Sequence, residues 1–175
     1  MTSSGASSNP ASETVARIAS TLSPLGVFTV AESGGAIVRV WLPGESPGRR
    51  ADSATPLLKQ ALAEIAEFIA GKRRSFTVPT ALAGTPFQRA VWTAIDAIPY
   101  GRTATYGEIA ARIGRPTAVR AVAAACGRNP VAVFTPCHRV VAADGLGGFR
   151  GGLALKQALL ALERKAQDKI EDTHH

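Results

Sequence analysis

Apolar and polar residues alternate through two β-rich runs between Gly26 and Leu42, GVFTVAE and AIVRVWL, separated by Ser33-Gly34-Gly35. Period-two alternation marks a strand with one buried face, and Ser-Gly-Gly is turn chemistry, so the pattern predicts a hairpin. Pro43 to Pro56 is dense in proline, glycine and charge and reads as loop. The period then changes. Leu58, Leu62, Ile65 and Ile69 make a helical stripe, and Gly71 is placed to end it. Lys72-Arg73-Arg74 follows directly, where basic side chains favour the negative end of a helix dipole. Ser75 to Gly84 returns to extended chain. This half reads as a small α+β domain.

The second half opens on a capping box: Thr85 caps, Pro86 suits the first helical position, and Gln88 returns the bond. Phe87, Val91, Ile95 and Ile98 mark one face of that helix. A second box, Thr105 to Glu108, opens YGEIAARI, which Gly114 closes. Pro116 is expected to start a further helix, TAVRAVAAAC, ending at Gly127. Two short helices around a glycine-containing turn form a helix-turn-helix pattern. A last helix, LALKQALLALERK, packs through its leucines.

On the second helix of that pair, Val119, Val122 and Cys126 share the spacing of a core face, which makes Cys126 a packing residue. The opposite face carries Thr117, Arg120, Ala121, Ala124, Ala125 and Arg128. It is basic at both ends and bare in the middle. Readers of the major groove project Asn, Gln, Arg or Lys to base edges, and this face has almost nothing to read with. Small residues let a helix backbone come close to a surface, although exposed alanines are also simply good helix formers.

Charge sharpens this. The chain of 175 residues carries a net charge of +7, and Arg102, Arg112, Arg115, Arg120, Arg128 and Arg139 face only Glu108 between 101 and 139. Such a stripe suits a polyanion, whose counterions are released on binding, or else is a solvated basic face. At 46% hydrophobic and 19% charged the chain is globular. Its small, polar first dozen residues are expected to be disordered. No secretory pattern or membrane-length apolar run is present, so a cytoplasmic protein with reduced thiols is expected. Without a CxxC pair or a Cys/His ligand set, neither a metal nor a cofactor is expected.

The candidate chemistry lies in TPCHRVVAADGLGGFRGG, residues 135 to 152. The apolar run VAVFTPC predicts that Cys137 ends a buried strand or extended segment, with Pro136 stiffening it. A free thiol is only about 3% thiolate at neutral pH, so a nucleophilic Cys137 needs a base. His138 is the only histidine outside the last two residues. In an extended chain neighbours point to opposite faces, so His138 reaches the sulfur only through a bend or a water molecule. It also needs an orienting carboxylate. The glycine-rich loop matches neither GxxxxGK[ST] nor GxGxxG, and reads as a turn or wing beside the thiol.

PCHRV at 136 to 140, with Asn129-Pro130 and YGEIA…VRAV upstream, resembles the DNA repair alkyltransferases, the methylated-DNA–protein-cysteine methyltransferases that act on 6-O-alkylguanine. The likeness is dense from Thr85 to about Glu163 and looser over residues 23 to 42. It implies an α+β fold: a small N-terminal α/β domain resembling ribonuclease H, and a C-terminal helix-turn-helix domain of winged-helix type. The implied division is a tail over 1–12, the first domain over 13–83, the alkyltransferase domain over 84–166, and a tail over 167–175.

The resemblance assigns Cys137 as alkyl acceptor, His138 as base through a water, Glu163 as orienting carboxylate, Asn129 as brace, and Tyr106 as proton donor to the departing oxygen. Arg120 would fill the gap left by a flipped base, with Thr117, Ala121, Ala124 and Arg128 along the minor groove. Val140, Gly148, Phe149 and Arg150 would line the pocket with Tyr106, the carbonyls of Cys137 and Val140 meeting the guanine amino group. Many relatives carry tyrosine where this chain has Phe149, which removes one hydroxyl donor. The implied partner is double-stranded DNA carrying alkylated guanine, bound by a monomer able to cluster on DNA, with no membrane. The product would be a thioether that nothing here hydrolyses, so each molecule acts once. A non-enzymatic lesion-binding protein is the alternative. A thiol hydrolase is a third reading, but the loop offers no obvious oxyanion hole.

Overall fold

The computed structural model describes residues 16–52 and 54–174. The expected N-terminal tail over 1–12 lies outside the described residues. Three antiparallel strands, β1 (Arg17–Ser23), β2 (Gly26–Ser33) and β3 (Ala36–Trp41), form a sheet in sequence order. The predicted hairpin is β2–β3, turning on Gly34 and Gly35, both at positive φ. Strand β1 carries little sequence signal of its own. Its alanine and serines mask the alternation of Ile18 and Leu22, and pairing with β2, Ile18 opposite Ala31 and Leu22 opposite Val27, defines it.

Helix α1 (Pro56–Ile69), capped by Thr55, lays Leu58, Ala61, Ile65 and Phe68 on the sheet. Gly71, at φ 73°, follows its end. The basic triplet does not simply flank the helix end. Arg73 pairs with Glu67 at 2.6 Å, and Arg74 reaches across the molecule to the carbonyl of Ala166 at 2.8 Å. Extended chain after it runs along the free edge of β3, Ile37 donating to Pro79 and Ala81 donating to Ile37.

The second half has α2 (Pro86–Asp96), β4 (Ala104–Thr105), α3 (Tyr106–Arg112), α4 (Val119–Gly127), β5 (Val140–Val141) and α5 (Leu153–Glu171), with β4 and β5 paired in parallel. Both predicted capping boxes form, at Thr85/Gln88 and Thr105/Glu108. Three expectations change here. Helix α4 starts at Val119, three residues after Pro116, and its cap Ala118 supplies no side-chain bond. Its buried face is therefore Val122 and Ala125, while Val119 is 39% exposed and Cys126 only half-buried. The carbonyl of Ala125 takes the indole N–H of buried Trp92 at 2.9 Å, which fixes that rotation. Helix α5 continues past 166 to Glu171 and a 3-10 turn, because no glycine or proline interrupts Gln167 to Ile170.

The fold is a mixed α/β one, a small sheet part followed by a helical part. Buried side chains of both parts form one cluster, from Phe28, Val30 and Phe68 to Val91, Val122, Cys137 and Leu159. Among the described residues no helix is long and apolar enough to cross a membrane.

Candidate active site

VAVFTPC is a buried turn, not the strand its composition predicts. Asn129 makes the difference. Its Nδ2 donates to the carbonyl of Thr135 at 2.8 Å, and its Oδ1 accepts from the N–H of Val131 at 3.0 Å. One side-chain amide thus takes the place of a strand partner and folds the run back, with Thr135 N–H bonded to Val131 O. The bend sets Val133 at φ 79°, a left-handed conformation that costs a β-branched residue about 1 kcal/mol or more. Cys137, His138 and Arg139 then form a single 3-10 turn. This turn, and not an extended chain, decides where the thiol and imidazole point.

His138 is fully buried, and its Nε2 lies 2.6 Å from Oε1 of Glu163 on α5. Burial alone would raise the Glu163 pKa. Hydrogen bonds from His138 and Arg139, with the charge of Arg139, hold it below the usual carboxylate value. Facing an ionised acceptor, Nε2 carries the proton, so Nδ1 presents a bare lone pair. That Nδ1 is buried and has no partner among the described residues. Burial also lowers the pKa of His138, against the pull of Glu163, so the ring rests neutral. Arg139 is buried too, which removes it from the surface stripe of arginines. Its Nε donates to both oxygens of Glu163 at 3.0 Å, and its Nη1 to the carbonyl of Ile98 at 2.8 Å. The N–H of Gly101 completes the carboxylate's shell at 2.9 Å.

Cys137 is 6% exposed, yet it opens on a cavity of about 440 Å³ lined by Tyr106, Ala123, Cys126, Gly127, Gly148, Phe149 and Arg150. Burial pushes its thiol up from the ordinary value, while a hydrogen bond from Asn129 and the charges of Arg150 and Lys156 pull the other way. The thiol therefore rests protonated and must lose its proton to act. Tyr106 starts α3, directly after its capping threonine. Its hydroxyl lies 3.5 Å from the carbonyl of Gly148. Gly147 makes that approach possible: at φ 70°, a Cβ there would stand 2.7 Å from the same hydroxyl. Arg150 is anchored outward, to Glu45 at 3.2 Å and the carbonyl of Val40 on β3 at 3.2 Å.

The structure thus brings Cys137, His138, Glu163, Asn129 and Tyr106 to one place, with Gly148, Phe149 and Arg150 on the wall. It does not bring Val140 there. That side chain is fully buried away from the cavity, and its carbonyl already accepts the ammonium of Lys156 at 2.6 Å. The carbonyl of Cys137 accepts the N–H of Val140, so each oxygen has one lone pair left for a ligand. Thr117, Arg120, Ala121, Ala124 and Arg128 are all exposed, but Ala125 turns into the core.

Sequence reasoning missed three residues. Lys156 is fully buried on α5 and bonds both Val140 O and, at 3.0 Å, Gly148 O; in sequence it is one more charge on a helix. Arg139 was counted as surface. Cys126, assigned to packing, lines the cavity, and burial raises its pKa to about 12, so it stays a neutral thiol. A larger groove of about 550 Å³, between the ends of α1 and α5, has Arg74, Leu162 and Lys165 in its lining but no thiol or imidazole. Among the described residues no cluster of His, Cys, Asp and Glu suits a metal ion.

Comparison with known proteins gives a consistent match along the chain. Residues 86–165 match the family model described as 6-O-methylguanine DNA methyltransferase, DNA binding domain. Residues 17–82 match that of the ribonuclease-like domain of the same enzyme. The inducible methylated-DNA–protein-cysteine methyltransferase of Bacillus subtilis is 45% identical over 135 residues, 77% of this chain and 75% of that protein. The methylated-DNA–protein-cysteine methyltransferase of Mycolicibacterium paratuberculosis is 42% identical over 147 residues, 82% and 89% of the two chains. Among solved structures, Mycobacterium tuberculosis OGT in complex with DNA superimposes with a TM-score of 0.79 at 38% identity, covering 86% of this chain and 94% of that one.

Proposed function

The chain belongs to the 6-O-methylguanine DNA methyltransferase family, and from that premise we propose a role for each side chain around Cys137. The protein is a methylated-DNA–protein-cysteine methyltransferase. It repairs DNA by moving the alkyl group of 6-O-alkylguanine to one of its own cysteines, and it is consumed in doing so. The observation that carries the residue assignment is the bare, buried Nδ1 of His138. It stands on the same turn as Cys137, with its other nitrogen committed to Glu163.

In this reading Nδ1 accepts the Cys137 proton through one water molecule, and Glu163 stabilises the imidazolium that forms. The thiolate attacks the saturated carbon on the guanine oxygen. An S–C bond forms, the C–O bond breaks, and its electron pair returns to the base. The base is protonated by Tyr106, which lines the cavity, and the imidazolium returns a proton to the phenolate by way of water. The balance is a thioether on Cys137 and an unmodified guanine. Asn129 holds the turn that aims the sulfur. The target lies inside the duplex stack, so it is flipped into the cavity, with Arg120 taking its place and the exposed face of Thr117, Ala121, Ala124 and Arg128 against the minor groove. The two family matches support a domain boundary near Gly84. A cytoplasmic location is part of the same proposal.

Intact-mass measurement after mixing with duplex DNA containing 6-O-methylguanine tests it. The expected result is one methyl gained per molecule, mapped to Cys137, and no reaction beyond one equivalent. Repeated turnover would overturn the single-use chemistry, and tight lesion binding with no mass gain would favour a lesion-binding protein.

A further inference from the structure

Beyond the residues that meet the base, the Glu163–His138 pair is supported from the N-terminal half of the chain. Tyr100 sits in the turn after α2, and its hydroxyl is buried without a partner among the described residues. Its ring, not its hydroxyl, makes the contacts. The guanidinium of Arg139 lies 5.5 Å from the ring centre and that of Arg74 lies 5.1 Å from it, both in cation–π range. Phe68 of α1 meets the rings of both Tyr100 and His138, at 6.0 and 6.2 Å. The same turn grips Arg139 through the carbonyl of Ile98 and grips Glu163 through the N–H of Gly101. Arg74 also bonds the backbone of α5 at Ala166, three residues after Glu163. It therefore fastens the Tyr100 turn and the helix that carries the carboxylate at once.

We propose that Arg74 is a positioning residue for the alkyl transfer: it pins the ring of Tyr100, and through that ring it holds Arg139 against Glu163. The N-terminal half then sets how Glu163 divides its charge between the imidazole and the guanidinium. Arg74 itself is absent from the cavity lining around Cys137. His138 is faced by Glu163 and Lys156 of α5 and by Arg139 of its own turn, while α1 presents the ring of Phe68. Asp96 of α2 and Tyr100 act on Arg139. When Arg139 loosens, the carboxylate leans more fully on the imidazole, which then holds a proton to higher pH.

The test is the second-order rate of methyl transfer across the pH range for the full-length protein, Arg74→Ala and Arg74→Lys, with duplex affinity measured alongside. Arg74→Ala should lower the plateau rate about three- to tenfold, the scale of one cation–π contact with one hydrogen bond. It should also move the acid limb to higher pH. Arg74→Lys should recover part of both. Tyr100→Leu should reproduce the limb shift, and combining it with Arg74→Ala should add little. A wild-type plateau and limb in Arg74→Ala, even with a lower melting temperature, would overturn the inference and leave Arg74 a tether between the two halves. Arg74 is exposed, so its variants decide the matter if Tyr100→Leu does not fold. The inference rests on the reading of Cys137 and His138. Failure of the wild-type protein to gain a methyl sinks that reading, whereas transfer unaffected by Arg74 sinks only this one.

Discussion

Glu163 is 1% exposed and accepts from Gly101, His138 and Arg139. Glu163→Gln would leave the Arg139 guanidinium buried without the carboxylate it bonds, a change that costs about 3–5 kcal/mol. Chemical denaturation should show that loss, and methyl transfer should slow by about a hundredfold or more as the base loses its support. His138 and Glu163 also make stability depend on pH. Both groups have folded-state pKa values below their ordinary values of 6.5 and 4.5. The unfolded chain therefore takes protons first. Their contributions are complete above 6.5 and 4.5 respectively, and each is lost as pH falls through the folded value. Melting temperature should decline on acidification below 6.5, then more steeply below 4.5. His138→Gln should remove the first part. A flat profile down to 4.5 in the wild type would contradict the burial of a neutral imidazole.

At the scale of elements, the two capping boxes look alike in sequence but differ in what they position. Thr85 starts a packing helix, whereas Thr105 starts the helix whose first residue is Tyr106. Each Thr→Ala should cost about 1 kcal/mol. Only Thr105→Ala should also slow transfer, and equal rates in the two variants would show that Tyr106 does not depend on its cap. Both boxes, the β2–β3 hairpin and α1 were legible, because caps, turn residues and apolar period are local signals. The start of α4 and the turn at Val131 to Thr135 were not. Proline at 116 looks like a first helical residue, and VAVF looks like strand. The first is overridden at long range, by Trp92 bonding Ala125, and the second locally, by Asn129 replacing a strand partner with its own amide.

Over the whole molecule, the exposed arginines and the buried ones look identical in the sequence. Arg120 and Arg128 stand on the open face of α4, while Arg139 is 6% exposed and paired. Phosphate contacts show in the salt dependence of binding, with a slope of about −0.9 per neutralised phosphate. Arg128→Ala should flatten that slope by about 1. Arg120→Ala should slow repair of duplex DNA far more than that of single-stranded DNA, where nothing has to be displaced; equal slowing would remove Arg120 from the base-flipping step. That Cys137, His138 and Glu163 come together was legible through the family resemblance. Lys156 and the cavity face of Cys126 were not, because a lysine and a cysteine on amphipathic helices give no sign of which way they turn.

The anchoring of Arg150 to β3 has one more consequence. The mouth of the cavity has a post on that side, tied to Glu45 and Val40, which an incoming nucleobase cannot push aside without parting the loop from the sheet. Two residues back along the same loop, the Gly148 carbonyl is held by the ammonium of Lys156 at 3.0 Å, and Gly147 packs closely against the Tyr106 hydroxyl. The width of the doorway is thus set by ties at both ends of one short stretch of loop. Releasing one tie with Arg150→Ala should raise the rate of transfer of large alkyl groups relative to methyl, measured on duplex DNA carrying each lesion; an unchanged ratio would show that the post does not limit entry.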